Sequence, residues 1–126
     1  MPAGVLSLEP AMFKPCVVIP VFDHERALGA VVEGVLAQNL PCVLVDDGSS
    51  NRCSSALNEI ALASPQSITL LRHPTNRGKG GAVLTGLRYA AEAGYTHAVQ
   101  VDAYGQHRTA DIPRSLEQAV AHPDAL

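Results

Sequence analysis

Aromatic side chains are scarce in this sequence, which has no tryptophan, two phenylalanines and three tyrosines. The core must therefore be aliphatic, and hydrophobic residues supply 47% of the 126 positions. A chain of this length suits one domain that buries roughly two-thirds of its unfolded surface. Charged residues make up 17% of the chain, a globular balance that argues against intrinsic disorder.

Positive charge is also sparse, with nine Lys and Arg against twelve Asp and Glu and a net charge of −3. The basic residues form no stripe, so we expect no nucleic-acid partner. No apolar run approaches the ~20 residues of a membrane span, and the first residues lack the features of a signal peptide. We therefore expect a cytoplasmic chain, with a loose tail over residues 1–12 and one domain over 13–126.

The three cysteines, Cys16, Cys42 and Cys53, are an odd number without a CxxC spacing. Two of them fall within apolar runs, where a free cysteine behaves as a small hydrophobe. This usage suits a reducing cytoplasm. The histidines show neither HxH nor HxxxH spacing, so they predict no zinc site.

Short apolar runs alternate with helical patterns along the chain. The runs are nearly continuous, which is typical of strands covered on both faces, and they lie at 16–20, 41–45, 67–71 and 97–101. Apolar residues at helical spacing occur at 25–38, 53–63, 80–93 and 111–121. This order predicts an α/β fold with a mostly parallel sheet and helices on both faces.

Polar or glycine-rich segments follow all four predicted strands. Because ligands of open parallel sheets bind beyond the carboxyl ends of the strands, these segments together predict a site. Asp46 and Asp47 are adjacent, so in a strand they point to opposite faces and only one can meet a given ligand. The other is expected to cap a helix or to bond the turn at Gly48.

The segment NRGKGGA at 76–82 suggests phosphate binding, but it matches neither of two familiar phosphate-binding motifs. A P-loop would need glycine at His73 and Ser or Thr at Gly80, and a dinucleotide fingerprint would need glycine at Val83. Two interpretations stay open. The segment either holds an anion at the start of a helix or is a plain helix start with two solvated cations, Arg77 and Lys79.

Four motifs, in this order and spacing, resemble the nucleotide-binding half of family 2 glycosyltransferases. They are VVIPVFDHE (17–25), VLVDDGSS (43–50), NRGKGGAVLTG (76–86) and VQVDAYGQH (99–107). Within that family, the motifs most resemble those of the dolichyl- or polyprenyl-phosphate mannose synthase type. The resemblance covers residues 15–107 and implies the N-terminal half of a GT-A, Rossmann-like domain.

The resemblance implies that the chain binds a nucleoside-diphosphate sugar of the UDP or GDP type. Asp47 would contact the base. The full set implied to surround the nucleotide sugar is Pro20, Val21, Asp23, Glu25, Asp46, Asp47, Arg77, Gly78, Lys79, Asp102 and Ala103.

The family's DxDGQ motif implies a Mg²⁺ or Mn²⁺ ion held by Asp102 and Gln106. Such a cation would draw off charge from the leaving diphosphate. In this sequence Tyr104 stands where the second aspartate belongs. A phenol is neutral at pH 7 and is a poor ligand for a hard cation, so the predicted metal site is weakened.

The chain ends soon after the motif region, so the acceptor half and the general base of an inverting displacement are expected outside it. We therefore expect a glycosyltransferase fragment that is inactive alone and whose parent acts on a lipid phosphate or glycan at the membrane face. A non-catalytic nucleotide-binding module and a degenerate remnant are the alternatives. An uncovered sheet edge is also expected to promote self-association.

Overall fold

The computed structural model describes residues 13–104, which form four strands and three helices. The strands are β1 (Pro15–Val21), β2 (Cys42–Asp47), β3 (Ile68–His73) and β4 (His97–Gln100). The helices are α1 (Leu28–Leu36), α2 (Asn51–Ala63) and α3 (Lys79–Glu92). The predicted tail at 1–12, the predicted helix at 111–121 and Gln106 lie outside the described residues.

The sheet is parallel in all three strand pairs, with the order β3-β2-β1-β4. The chain adds strands on one side of β1 and then crosses to the other side for β4. The strand order therefore reverses at β1, the position where open α/β sheets bind ligands. The predicted α/β class and parallel sheet are confirmed.

Two apolar layers cover the two faces of the sheet. On one face, α1 and α2 pack against alternate strand residues such as Ile19 and Leu44. On the other face, α3 packs against Val18 and Val45, and Gly86 is the point of closest approach. Because both faces are covered, the strands are apolar without a strict alternation, as predicted.

The three cysteines are free and buried within these layers. Burial raises the pKa of the Cys16 thiol to about 11. Burial, with a smaller contribution from Cys16, raises that of Cys42 to about 12. Both thiols are therefore protonated at neutral pH and are poor nucleophiles, which agrees with a packing role.

None of the helices described within residues 13–104 is long and apolar enough to cross a bilayer.

Candidate functional site

A cleft of about 180 Å³ opens at the carboxyl edge of the sheet, beside the switch in strand order. It lies between the ends of β1 and β2, the start of α3 and the segment after β4. Its lining consists of Pro20, Val21, Phe22, His24, Asp47, Asn76, Lys79, Ala82, Asp102, Ala103 and Tyr104. The topology thus brings segments from all four quoted motifs to one place.

The two adjacent aspartates of β2 point to opposite faces, as the strand pleat requires. Asp46 faces α2 and is fully buried. Its carboxylate accepts hydrogen bonds from the Ser49 amide (2.9 Å), the Ser54 hydroxyl (2.7 Å) and Arg72 Nε (3.0 Å). Asp46 is not part of the cleft lining, and its side chain joins β2, β3 and α2.

The surroundings of Asp46 act on its pKa in two directions. Burial disfavours the charged form, but the hydrogen bonds from Ser54, Ser49 and Arg72 outweigh burial and hold the pKa below its ordinary value of 3.8. The stability that this carboxylate provides is therefore present above pH ~4 and is lost as the pH falls through the lowered pKa.

We expect Asp46→Asn to flatten the acid limb of the stability curve. The variant should be less stable than the parent at neutral pH and should lose less stability between about pH 6 and pH 3, because it no longer takes up a proton on unfolding. Urea unfolding across this range measures the effect, with the exposed Glu59→Gln as control. An acid limb as steep as the parent's would contradict this role for Asp46.

Asp47 points to the α3 face, lines the cleft and is 2% exposed. Its Oδ1 atom accepts hydrogen bonds from His73 Nδ1 (2.7 Å) and from the Arg77 amide (2.8 Å). Asn76 Nδ2 donates to Oδ2 at 3.1 Å and to the Asp47 carbonyl at 3.2 Å. Asp47 thereby ties the end of β2 to the turn that leads into α3.

His73 extends this network towards α3. Its Nε2 atom lies 2.8 Å from the Thr85 hydroxyl, which donates its proton to the Gly81 carbonyl at 3.0 Å. Since a carboxylate only accepts, Nδ1 of His73 donates to Asp47, and the ring joins the end of β2 to α3.

The segment after β4 faces Lys79, the first residue of α3. Lys79 Nζ lies 2.9 Å from Asp102 Oδ1, and the side chains are 58% and 13% exposed. Ala103 is buried, whereas Tyr104 is 52% exposed and packs its ring on His24, with centroids 4.0 Å apart. The cleft thus presents an ammonium group beside a carboxylate and an aromatic wall.

The described residues do not fit a divalent cation. Between residues 13 and 104 no three His, Cys, Asp or Glu side chains are close enough together to hold a metal ion. Asp102 is paired with Lys79, and Tyr104 brings a neutral ring to the position of the second aspartate. The other predicted ligand, Gln106, lies outside the residues described.

Besides Asp46, four predicted site residues lie around the cleft and not in its lining. Asp23, at a φ of +53°, accepts a hydrogen bond from the Ser50 amide (2.7 Å), and Glu25 pairs with Arg52 at 3.7 Å. Asp23 and Glu25 line a neighbouring recess of about 310 Å³. The backbone of the other two, Arg77 and Gly78, forms the turn that precedes α3.

Four further residues line the cleft that were not among the predicted site residues, namely Phe22, His24, Asn76 and Ala82. All four fall within the quoted motifs. Asn76 could have been found from its place before the glycine-rich turn. For His24 the sequence spacing speaks only against a zinc site, and nothing in the sequence shows that Tyr104 packs against it.

The parallel sheet, with its cleft at the switch in strand order, defines a Rossmann-like α/β domain. The fold matches that of a solved mannosyltransferase from Pyrobaculum calidifontis, PcManGT, in complex with GDP-Man and Mn²⁺. The TM-score is 0.62 at 24% identity, and the match covers 74% of this chain and 28% of that one. The family model described as glycosyl transferase family 2 matches residues 16–126, and the chain belongs to that family.

Similar curated proteins include enzymes named for polyprenyl-type phosphates. The polyprenol monophosphomannose synthase of Mycolicibacterium smegmatis is 29% identical over 122 residues, 92% of this chain and 46% of that protein. The UDP-N-acetylglucosamine–dolichyl-phosphate N-acetylglucosaminyltransferase of Methanococcus voltae is 30% identical, over 82% of this chain and 46% of its own length. The undecaprenyl-phosphate mannosyltransferase of Micrococcus luteus is 32% identical, over 79% of this chain and 42% of its own length. The chain spans less than half of each relative.

Proposed function

We propose that this chain binds a nucleoside-diphosphate sugar, of the UDP or GDP type, in the cleft at the carboxyl edge of the sheet. The observation that carries the proposal is the convergence of all four family motifs on that cleft. Membership of glycosyl transferase family 2 supports a sugar nucleotide as ligand. The names of relatives and of the structural neighbour include both UDP-linked and GDP-linked donors, so the base stays open.

The cleft offers groups suited to the two ends of such a ligand. Pro20, Val21 and Phe22 form an apolar wall that suits a base, beside the fixed carboxylate of Asp47. Lys79 presents an ammonium group at the start of α3, where the first backbone N–H groups of a helix have no intrahelical acceptor and favour anions. We place the diphosphate at that end of the cleft.

In the parent enzyme we propose an inverting transfer of the sugar to a lipid phosphate or glycan at the membrane face. The relatives named for polyprenol, dolichyl and undecaprenyl phosphates support this acceptor class. We propose that the isolated chain does not transfer, since the carboxylates of its cleft lining, Asp47 and Asp102, are paired with His73 and Lys79. Self-association also stays a prediction, which light scattering during gel filtration would test.

Titration of the 13.2 kDa chain with UDP and GDP, followed by amide chemical shifts, tests the binding site. We expect shifts concentrated at residues 21–24, 47, 76–82 and 102–104, with Lys14 and Thr96 at the opposite edge as internal controls. Shifts spread over the surface, or none for either nucleotide, would contradict the proposed function. Sugar transfer by the isolated chain to a polyprenyl phosphate would contradict only the proposed lack of activity.

The non-catalytic binding module remains the second candidate, because Tyr104 and the Lys79–Asp102 pair occupy the expected metal region. Both candidates predict nucleotide binding by this chain. They differ in the full-length protein, where transfer of a labelled sugar to a lipid phosphate favours the enzyme and its absence favours the module.

A further inference from the structure

The ion pair between Lys79 and Asp102 occupies the part of the cleft that the family resemblance assigns to a divalent cation. The ammonium nitrogen lies 2.9 Å from Asp102 Oδ1. A metal ion bound to the same oxygen, about 2.1 Å away, would therefore lie within about 5 Å of a like charge. Lys79 thus opposes metal binding by electrostatic repulsion while supplying a cation of its own.

Tyr104 acts in the same direction. The residue at this position would have to provide a second carboxylate to balance a divalent ion, but the phenol is neutral and its ring packs on His24 at a centroid distance of 4.0 Å. Among residues 13–104, the charged groups at this end of the lining are then the Asp102 carboxylate and the Lys79 ammonium group. One carboxylate is enough to balance the single positive charge of the Lys79 ammonium group, but not the two charges of a divalent ion.

We propose that Lys79, held in place by Asp102, neutralises the diphosphate of the bound nucleotide, and that this chain binds its nucleotide without a divalent metal. The inference rests on the proposed function, since it concerns the same cleft. Lys79 is the binding residue, and Asp102 positions its ammonium group.

The local geometry leaves room for this role. An ammonium group has three N–H donors, so the bond to Asp102 leaves two for phosphate oxygens. The Lys79 side chain is 58% exposed and can follow an anion without unfolding its surroundings. The next residue, Gly80, has nothing within 4 Å of the place of a Cβ atom, so open space adjoins the start of α3.

Calorimetric titration with GDP, UDP and pyrophosphate, each in EDTA and in excess Mn²⁺, tests the proposal. For the parent chain we expect Kd values in the two buffers that agree within about threefold. Lys79→Met should weaken binding about 10- to 100-fold in EDTA, the range for a lost hydrogen bond to a charged group. Lys79→Arg keeps the positive charge and should lose far less nucleotide affinity. Lys14→Met removes a lysine at the opposite sheet edge and should leave Kd unchanged.

A second readout needs no nucleotide. The electron paramagnetic resonance signal of free Mn²⁺ should be unaffected by the parent chain and should fall on addition of the double variant Lys79→Met with Tyr104→Asp. That variant removes the competing cation and restores a carboxylate.

The outcomes separate the two proposals. Nucleotide binding that improves more than tenfold with Mn²⁺, or Mn²⁺ uptake by the parent chain, would overturn the metal-free inference and leave the proposed function standing. Equal affinity of Lys79→Met and Lys14→Met would overturn the role of Lys79. Failure of both nucleotides to bind in either buffer would overturn the proposed function and the inference with it.

Discussion

Replacing Gly48 by alanine is expected to cost this protein about 3 kcal/mol or more of folding free energy. Gly48 follows β2 directly and has a φ of +73°, a region that residues with a Cβ atom rarely adopt. A Cβ atom there would overlap the Asn76 backbone nitrogen and would lie 2.5 Å from the Thr75 carbonyl carbon. Both are backbone atoms of the turn before α3, so no side-chain rotation relieves the overlap.

The same substitution should also disturb the cleft, because the displaced turn carries the Asn76 and Arg77 groups that bond Asp47. Urea unfolding measures the stability, and nucleotide titration measures the effect on the site. Gly29→Ala is the matched control. It lies within α1 with nothing within 4 Å of its Cβ position, so alanine should stabilise that helix by up to about 1 kcal/mol. A free energy of unfolding for the Gly48 variant within about 1 kcal/mol of the parent's would show that Gly48 does not approach the Thr75–Asn76 backbone this closely.

Asp47→Ala is expected to destabilise the chain by about 2–5 kcal/mol, because donors left without their acceptor at a buried site cost about 1–3 kcal/mol each. The substitution leaves His73, which is 4% exposed, without its carboxylate partner. It also removes the acceptor of the Arg77 amide, so the turn before α3 loses its tie to β2. We expect loss of nucleotide binding to accompany the loss of stability.

Asp47→Asn removes the charge of Asp47 but keeps the shape of its side chain, so it separates the contributions of charge and shape to stability. Asparagine keeps one acceptor oxygen but not the charge-assisted bond to His73, so the loss should fall between the parent and Asp47→Ala. Glu59→Ala, an exposed acid on α2, serves as control and should stay within about 0.5 kcal/mol of the parent. Urea unfolding monitored by circular dichroism ranks the variants. Equal stability of Asp47→Ala and Glu59→Ala would mean that the His73 pair contributes nothing.

Much of the fold followed from local pattern. The four apolar runs became the four strands, and the three helices described coincide with the predicted segments to within three residues at each end. The strand ends were less well predicted. The second run was expected to stop at Val45, whereas β2 continues through Asp47, because the register with β3 pairs Asp46 with Arg72 and Asp47 with His73. In sequence alone, polar residues at the end of a strand cannot be told from a turn, because their pairing with the neighbouring strand is not visible there.

The sequence by itself determined the α/β class, the gathering of polar segments at one sheet edge and the opposite orientation of Asp46 and Asp47. These follow from hydrophobic periodicity, the rule for ligand sites in parallel sheets and the pleat of a strand. Only the tertiary structure decided that Asp46 faces α2, that Asp47 bonds His73, and that Lys79 lies against Asp102. These pairs join different elements, so their distances depend on strand register and helix packing, which no local stretch of sequence encodes.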